Sequence, residues 1–222
     1  MRVLILGATG PSGILVIHEY FRVYPAGTAV LYVRNPSKLS SDISSNLAIT
    51  VIQGELTDAD ALRRAFVSGG QIDAVLSTLG PVPPYSKEKL ITRGYTILIP
   101  VMASHKCKRL IALSTFSHKD PRDKFAILPW LMVSLVWLFM SGAYEDIITF
   151  SKYIQEECDK NDIDWTLVRV PGLTMKEGQK AVAGYVGDGN IGVILSRHAL
   201  AEFFVKAIEE KEWVRKSPAI SS

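Results

Sequence analysis

The chain is poor in the residues that build disulfides and metal centres. Two cysteines, Cys107 and Cys158, occur in 222 residues, and they sit in neither a C-x-x-C nor a zinc spacing. Reduced, buried thiols are the expectation. The four histidines, His18, His105, His118 and His198, are scattered, and no metal site is expected. A long basic run is also missing. The net charge is only +3, which argues against nucleic acid as the main partner but leaves room for a local basic cleft that takes a small anion. The apolar start is too short for a secretory signal and runs directly into glycines, so a cytoplasmic location is expected. Repeats, low-complexity segments and linkers are absent. A single domain over residues 1–222 follows, with a small substrate-side portion at about 116–145 and 172–195.

One stretch lacks charge altogether. FAILPWLMVSLVWLFMSGA, residues 125–143, is nearly as long as the roughly 20 residues that a bilayer span needs. Pro129 near its start, Ser141 and Gly142 near its end, and its place inside an alternating pattern count against spanning. A buried helix, a lid or a homodimer interface is expected instead. If exposed, the stretch suits a second copy, a greasy substrate or a membrane surface.

What is present is concentrated in the first dozen residues. MRVLIL is a short apolar strand; Gly7, Ala8, Thr9, Gly10, Pro11, Ser12 and Gly13 follow at once, and ILVIHEYF begins a helical pattern. Strand, glycine loop and helix in that order form the geometry that holds a pyrophosphate. Gly7 lets the chain turn off the strand, Gly10 lets the backbone approach phosphate oxygens, and Gly13 lets the helix pack against the strand. The helix N-terminus then offers amides and partial positive charge to the anion. The alternative, a tight turn without a ligand, leaves the crowding of glycine, Thr9 and Ser12 unexplained.

Strands and helices alternate through the rest of the chain. Strands are expected at 29–33, 48–52, 73–78, 109–113 and 165–169, with a further one at 181–185. A helix capped by Thr57 or Asp58 runs through Phe66, others span about 87–106 and 196–210, and a long one follows the apolar stretch to about Asp159. The tail after Trp213 reads as loose. This pattern predicts a Rossmann-like α/β fold, a doubly wound parallel sheet with helices on both faces. Ligands of such sheets bind at the carboxyl ends of the strands. In the loop HKDPRDK after the fifth strand, Asp120, Arg122 and Asp123 read as solvent-facing charge, and His118 as within reach of a substrate.

The end of the second strand separates NAD from NADP. An acid there would bind the ribose 2′-hydroxyl; this chain has Arg34 and then Lys38. A guanidinium forks onto a 2′-phosphate and stacks on adenine, so NADP(H) is the expected cofactor, with Ser12 adding a hydroxyl contact. The alternative for Arg34 and Lys38 is an ordinary solvated edge. Glu55 and Leu56 are expected beside the adenine, and Leu79 and Gly80 behind the ribose and diphosphate.

GATGPSG, VRNPSKL, GELTD, LSTLG, LIALST and DWTLVRVPG, in this order over nearly the whole chain, resemble the atypical short-chain dehydrogenase/reductases, in particular NmrA-like NAD(P)H-binding proteins and the flavin/biliverdin-IX-β reductase type. The resemblance implies NADP(H) and reduction of a carbonyl, enoyl or quinone-like group. Some relatives are sensors without chemistry, and others are tailoring enzymes of secondary metabolism. One departure stands out. The Tyr of the usual Y-x-x-x-K pair is missing: Lys152 occupies the lysine's place, but Ile148 precedes it by four and Tyr144 by eight. By analogy Ser114 and Thr115 position the substrate, Lys152 holds the nicotinamide ribose, Tyr144 is a candidate proton donor, and Pro171, Gly172 and Leu173 offer backbone to the carboxamide. The alternatives are that Lys152 is a solvated helix residue and that the two hydroxyls only cap a strand. The function expected is NADPH-dependent reduction of a small hydrophobic carbonyl, enone or quinone-like compound; the competing expectations are a dinucleotide-binding sensor and a redox-neutral isomerase or dehydratase.

Overall fold

The computed structural model describes residues 1–85 and 87–222. β1 (Arg2–Leu6), β2 (Thr28–Val33), β3 (Ile49–Gln53), β4 (Ala74–Ser77), β5 (Arg109–Thr115) and β6 (Asp164–Val170) lie in the order β3-β2-β1-β4-β5-β6, all parallel. The order reverses between β1 and β4, which opens a crevice at their carboxyl ends. The helices are α1 (Pro11–Val23), α2 (Ser41–Ser44), α3 (Ala59–Val67), α4 (Leu90–Ser104), α5 (Ile127–Phe139), α6 (Ser141–Lys160) and α7 (Arg197–Lys206).

Central strands of a parallel sheet are buried on both faces, and side chains alternate between them. Val3 and Ile5 of β1 pack with Val16 and Ile17 of α1 and Leu200 and Phe204 of α7. Leu4 and Leu6 pack on the opposite face with Leu62 of α3, Ile99 of α4 and Phe150 and Ile154 of α6. The doubly wound sheet is therefore as expected. Asp58, not Thr57, caps α3, accepting from the amides of Asp60 and Ala61 at 3.1 and 2.9 Å. Cys107 and Cys158 are free and buried, and burial pushes both thiols up to about 12.

Three expectations are corrected. The tail after Trp213 is not loose: β10 (Ala219–Ser221) inserts into the main sheet, parallel to β6 and antiparallel to β8 (Val182–Gly184). The long helix follows the apolar stretch as expected, but at a sharp turn: α5 ends at Phe139, and α6 leaves it at 113°. The second correction is that α5 is not a buried helix, since Pro129 is its one buried residue. A small parallel pair, β7 (Gly172–Thr174) with β9 (Ile194–Ser196), forms a second sheet.

The loop 118–124 carries the third correction. Asp120 and Asp123 do not face solvent as free charges. Arg169 of β6 is fully buried, and its guanidinium forks onto Asp123 at 2.5 and 2.8 Å. It also donates to the carbonyls of Ser217 and His118, at 2.7 and 3.1 Å. Asp123 accepts the Val186 amide as well, at 3.0 Å. Asp120, itself buried, accepts Nε and Nη2 of Arg122 at 2.8 and 2.9 Å. Burial pushes the Asp120 carboxyl up, but the Arg122 hydrogen bonds and the nearby positive charges outweigh it and hold the group low. A buried ion pair is kept by such completeness of partners, and this one ties the loop, the segment before β10 and the segment after β8 to the central sheet.

His118 sits in the same network, buried, its Nε2 without a hydrogen-bond partner among the described residues. Burial, aided by the Arg169 charge, pushes its pKa from 6.5 down to about 4, against the pull of Asp120 and Asp123. The unfolded chain therefore binds a proton that the folded chain refuses. Stability is fully present above pH 6.5 and falls as the pH drops towards about 4, a loss of at most about 3 kcal/mol. Urea unfolding across this range tests it: the wild-type midpoint should decline, and His118→Gln should flatten the decline. An equal slope in both proteins would assign the pH dependence to other groups.

Candidate functional site

The glycine loop joins β1 to α1 at the switch point. Gly7 adopts φ +79, where a side chain would be strained, and a Cβ there would lie 2.6 Å from Thr78 Oγ1. Thr78 uses that hydroxyl to donate to the carbonyls of Leu6 and Gly7, at 3.1 and 3.3 Å. The end of β4 thus clamps the turn off β1. Gly13 in the first turn of α1 presses on the Gly7 carbonyl so closely that a Cβ would collide with it. Gly10 is extended, at φ −83 and ψ 159, and caps α1 without a side-chain hydrogen bond; Pro11 follows at the first helical position. Pro11 has no N–H, so the amides of Ser12 and Gly13 head the helix. Ile14 closes the first turn onto the Gly10 carbonyl at 3.0 Å. Thr9 and Gly10 are half-buried, Pro11 is exposed and Ser12 is buried. A backbone surface with no Cβ at Gly7 or Gly10 and two amides at a helix start fits a diphosphate.

Arg34 and Lys38 are both exposed at the carboxyl end of β2. The backbone there is fixed. Gln53 Nε2 donates to the Arg34 carbonyl at 3.1 Å. Asn35 Oδ1 accepts from the Ser37 amide at 3.0 Å, capping a short turn over Pro36–Lys38. Glu55 is exposed and Leu56 half-buried beside them. Their loop is held by Tyr32, whose hydroxyl donates to the Glu55 carbonyl at 2.7 Å, and burial pushes that phenol up to about 12. Leu56 and Leu79 line a small apolar hollow with Leu6, Leu62, Gly94 and Tyr95. Gly80, next to Leu79, has open space around it: a Cβ there would come no nearer than 3.8 Å to a neighbour, the Leu113 side chain. Glycine loop, Arg34 corner, Glu55–Leu56 and Leu79–Gly80 all lie at carboxyl ends of β1 to β4. A hollow of about 290 Å³ between Phe66, Gly70, His105 and Lys106 lies at the opposite end of the sheet and is no part of this crevice.

The ends of β5 and β6 and the start of α6 carry the remaining candidate residues. β5 runs two residues further than its apolar core, so Ser114 and Thr115 are strand residues paired with Arg169 and Val170. Ser114 is buried, and its hydroxyl meets that of Ser151 in α6 at 2.8 Å. Thr115 is half-buried and accepts the Ser117 amide at 3.2 Å. Lys152 does not join them. Its side chain is 71% exposed and stands 3.7 Å from Glu156. The face of α6 turned to β5 carries Ser151 instead. Tyr144 is half-buried in the first turn of α6. Pro171, Gly172 and Leu173 are half-buried at the end of β6 and start of β7.

Two residues escaped the sequence reading. Ser151 was legible: it falls on the helical stripe of Ile147, Ile154 and Cys158, which is the buried face of α6. Asp146 was not. It is buried and accepts from the amides of Ile91 and Thr92 at 3.1 and 3.0 Å and from the Thr92 hydroxyl at 2.6 Å. It caps α4 from a helix some fifty positions away, and so fixes α6 beside the crevice.

A family model described as NAD(P)H-binding matches residues 7–211. No curated protein matches the chain. Solved structures do. A short-chain dehydrogenase/reductase (wide type) from Veillonella parvula DSM 2008 in complex with NADP is 16% identical, with a TM-score of 0.77 over 100% of this chain and 94% of the other. ChuY, an anaerobillin reductase from Escherichia coli O157:H7, is 14% identical, with a TM-score of 0.73 over 100% and 97%. A putative NAD-dependent epimerase/dehydratase from Bacillus halodurans is 20% identical, with a TM-score of 0.74 over 100% and 94%. These likenesses are of fold. The family match spans the glycine loop, the Arg34 corner and the strand ends that line the crevice, and on it the chain belongs to the NAD(P)H-binding family.

Proposed function

We propose that the chain is an NADPH-dependent reductase acting on a small hydrophobic carbonyl, enone or quinone-like compound. The observation that carries the reading is the pairing of a glycine cradle with an acid-free corner after β2, where Arg34 and Lys38 stand exposed. The amides of Ser12 and Gly13 bind the diphosphate, and Arg34 with Lys38 takes the 2′-phosphate. Leu56 and Leu79 offer apolar surface to the adenine half, and the backbone of Pro171–Leu173 orients the carboxamide. A reduced nicotinamide supplies hydride when bound. Ser114, held by Ser151, and Thr115 orient the substrate oxygen. A serine hydroxyl is a poor acid, so the proton reaches that oxygen from Tyr144 or from water. The NADP complex and the reductase among the similar structures agree with this reading.

The solvent-facing Lys152 favours a second reading, a dinucleotide-binding sensor without turnover, because neither member of the usual Tyr–Lys pair is then in place. NADPH consumption against a panel of quinones, enones and flavins separates the two: turnover with any of them excludes the sensor, and tight NADPH binding without turnover excludes the reductase.

Arg34→Ala should weaken NADPH by on the order of tenfold to a hundredfold and leave NADH nearly unchanged, since hydrogen bonds to charged groups contribute about 1.5–3 kcal/mol. Calorimetric titration measures both, and equal weakening would contradict the NADP assignment. Ser114→Ala should lower kcat by about tenfold with NADPH affinity intact. Lys152→Ala should change neither by more than about twofold; a large loss of cofactor affinity would make the lysine a ribose ligand after all.

A further inference from the structure

Helix α5 shows solvent a broad apolar face that nothing in the fold covers. Ile127, Leu128, Leu131 and Leu138 are 48 to 69% exposed, and Trp130, Leu135, Trp137 and Phe139 are similarly open. At 100° per residue, these positions sweep roughly 200° of the helix. The remaining strip faces the protein: Pro129 is buried, and Val133 packs with Ala126 against Phe116 and Val186. The exposed sweep carries no charge. Its one hydroxyl, Ser134, donates back to the Trp130 carbonyl at 2.8 Å.

A second copy of the chain would be a poor occupant. Interfaces between proteins carry roughly one hydrogen bond per 100–200 Å² and a polar rim, and this face offers only two indole N–H groups. Those two suit lipid. Trp130 and Trp137 are seven residues apart, so they line one edge of the face, and indoles settle at the headgroup level with the apolar ring inward. The helix is about 20 Å long, shorter than the roughly 30 Å hydrocarbon core. No single helix among the described residues is long and apolar enough to cross a membrane, and α6 departs from α5 at 113°. This geometry suits a helix lying in the interface plane.

Charge agrees. On the segment leading into α5, Asp120 and Asp123 are engaged by Arg122 and Arg169, while Lys119 and Lys124 stay exposed. Asp188, which feels Lys124, is committed to the amides of Tyr185, Asn190 and Ile191. The approach therefore presents positive charge to anionic headgroups.

We propose that α5 docks the protein on the surface of a lipid bilayer, with its outer face immersed at the boundary of headgroups and acyl chains. Its inner strip reaches the crevice, since a Cβ on Gly172 would lie 3.9 Å from Met132 Cε. Docking thus places the start of β7 directly behind the docked helix. The docking does not depend on the dinucleotide reading.

Flotation of the full chain with phosphatidylcholine vesicles, with and without phosphatidylserine, tests the proposal. The wild type should float, more completely with phosphatidylserine, and its tryptophan emission should shift to the blue. The double variant Leu131→Glu with Leu138→Glu, both at exposed positions, should keep its circular dichroism and lose at least about tenfold in vesicle partition. A wild type that stays in the aqueous fraction would overturn the proposal, as would undiminished flotation of the variant. A solution dimer that the two glutamates dissociate, without vesicle binding by the wild type, would overturn it too and give the face to a second copy.

Discussion

Between the first turn of α1 and the carbonyl of Gly7 there is room for a hydrogen atom and nothing larger. That contact sets the rest of the site. Because Gly13 has no Cβ, α1 starts directly over the end of β1, and its leading amides point along the sheet's carboxyl edge. Because Gly7 adopts a positive φ, the chain leaves the strand sharply enough to make that start, and Thr78 fastens the turn from the next strand with hydrogen bonds to two carbonyls. The crevice is thus held by backbone, without side chains to move aside. An anion arriving there meets oriented dipoles that cost no reorganisation.

The other half of the crevice depends on a buried charge. Arg169 is surrounded by the acceptors it needs: Asp123, Ser217 and His118. The loop after β5 and the chain before β10 both converge on it, so these segments form one connected unit around β6. α5 rises from that unit with its apolar face outward.

How much of this was legible in the sequence follows the range of the interactions involved. β1, the glycine loop and α1 are adjacent in the chain, and their order alone carries the geometry. The Arg34 corner is legible for the same reason, as it follows directly on a strand. β10 is three residues long and exists only because it pairs with chain from Val182 and Arg169, so no local pattern announces it. Asp123 looks like loop charge until its partner, 46 positions on, is known; the signal was Arg169 itself, a guanidinium in the middle of the apolar strand DWTLVRV. Lys152 matches a familiar spacing, while the helical stripe through Ile147 and Ile154 marks its neighbour Ser151 as the residue on the buried face of α6. The break at Met140 was foreshadowed by Ser141 and Gly142, but its angle is a matter of packing.

The central claim is that a dinucleotide diphosphate rests on the start of α1. Backbone amide NMR during an NADPH titration reads this residue by residue. The account predicts that the largest shifts fall on Gly10, Ser12 and Gly13 and spread to Arg34 and Gly80. Shifts confined to the hollow between Phe66 and His105, or none at saturating NADPH, would contradict it.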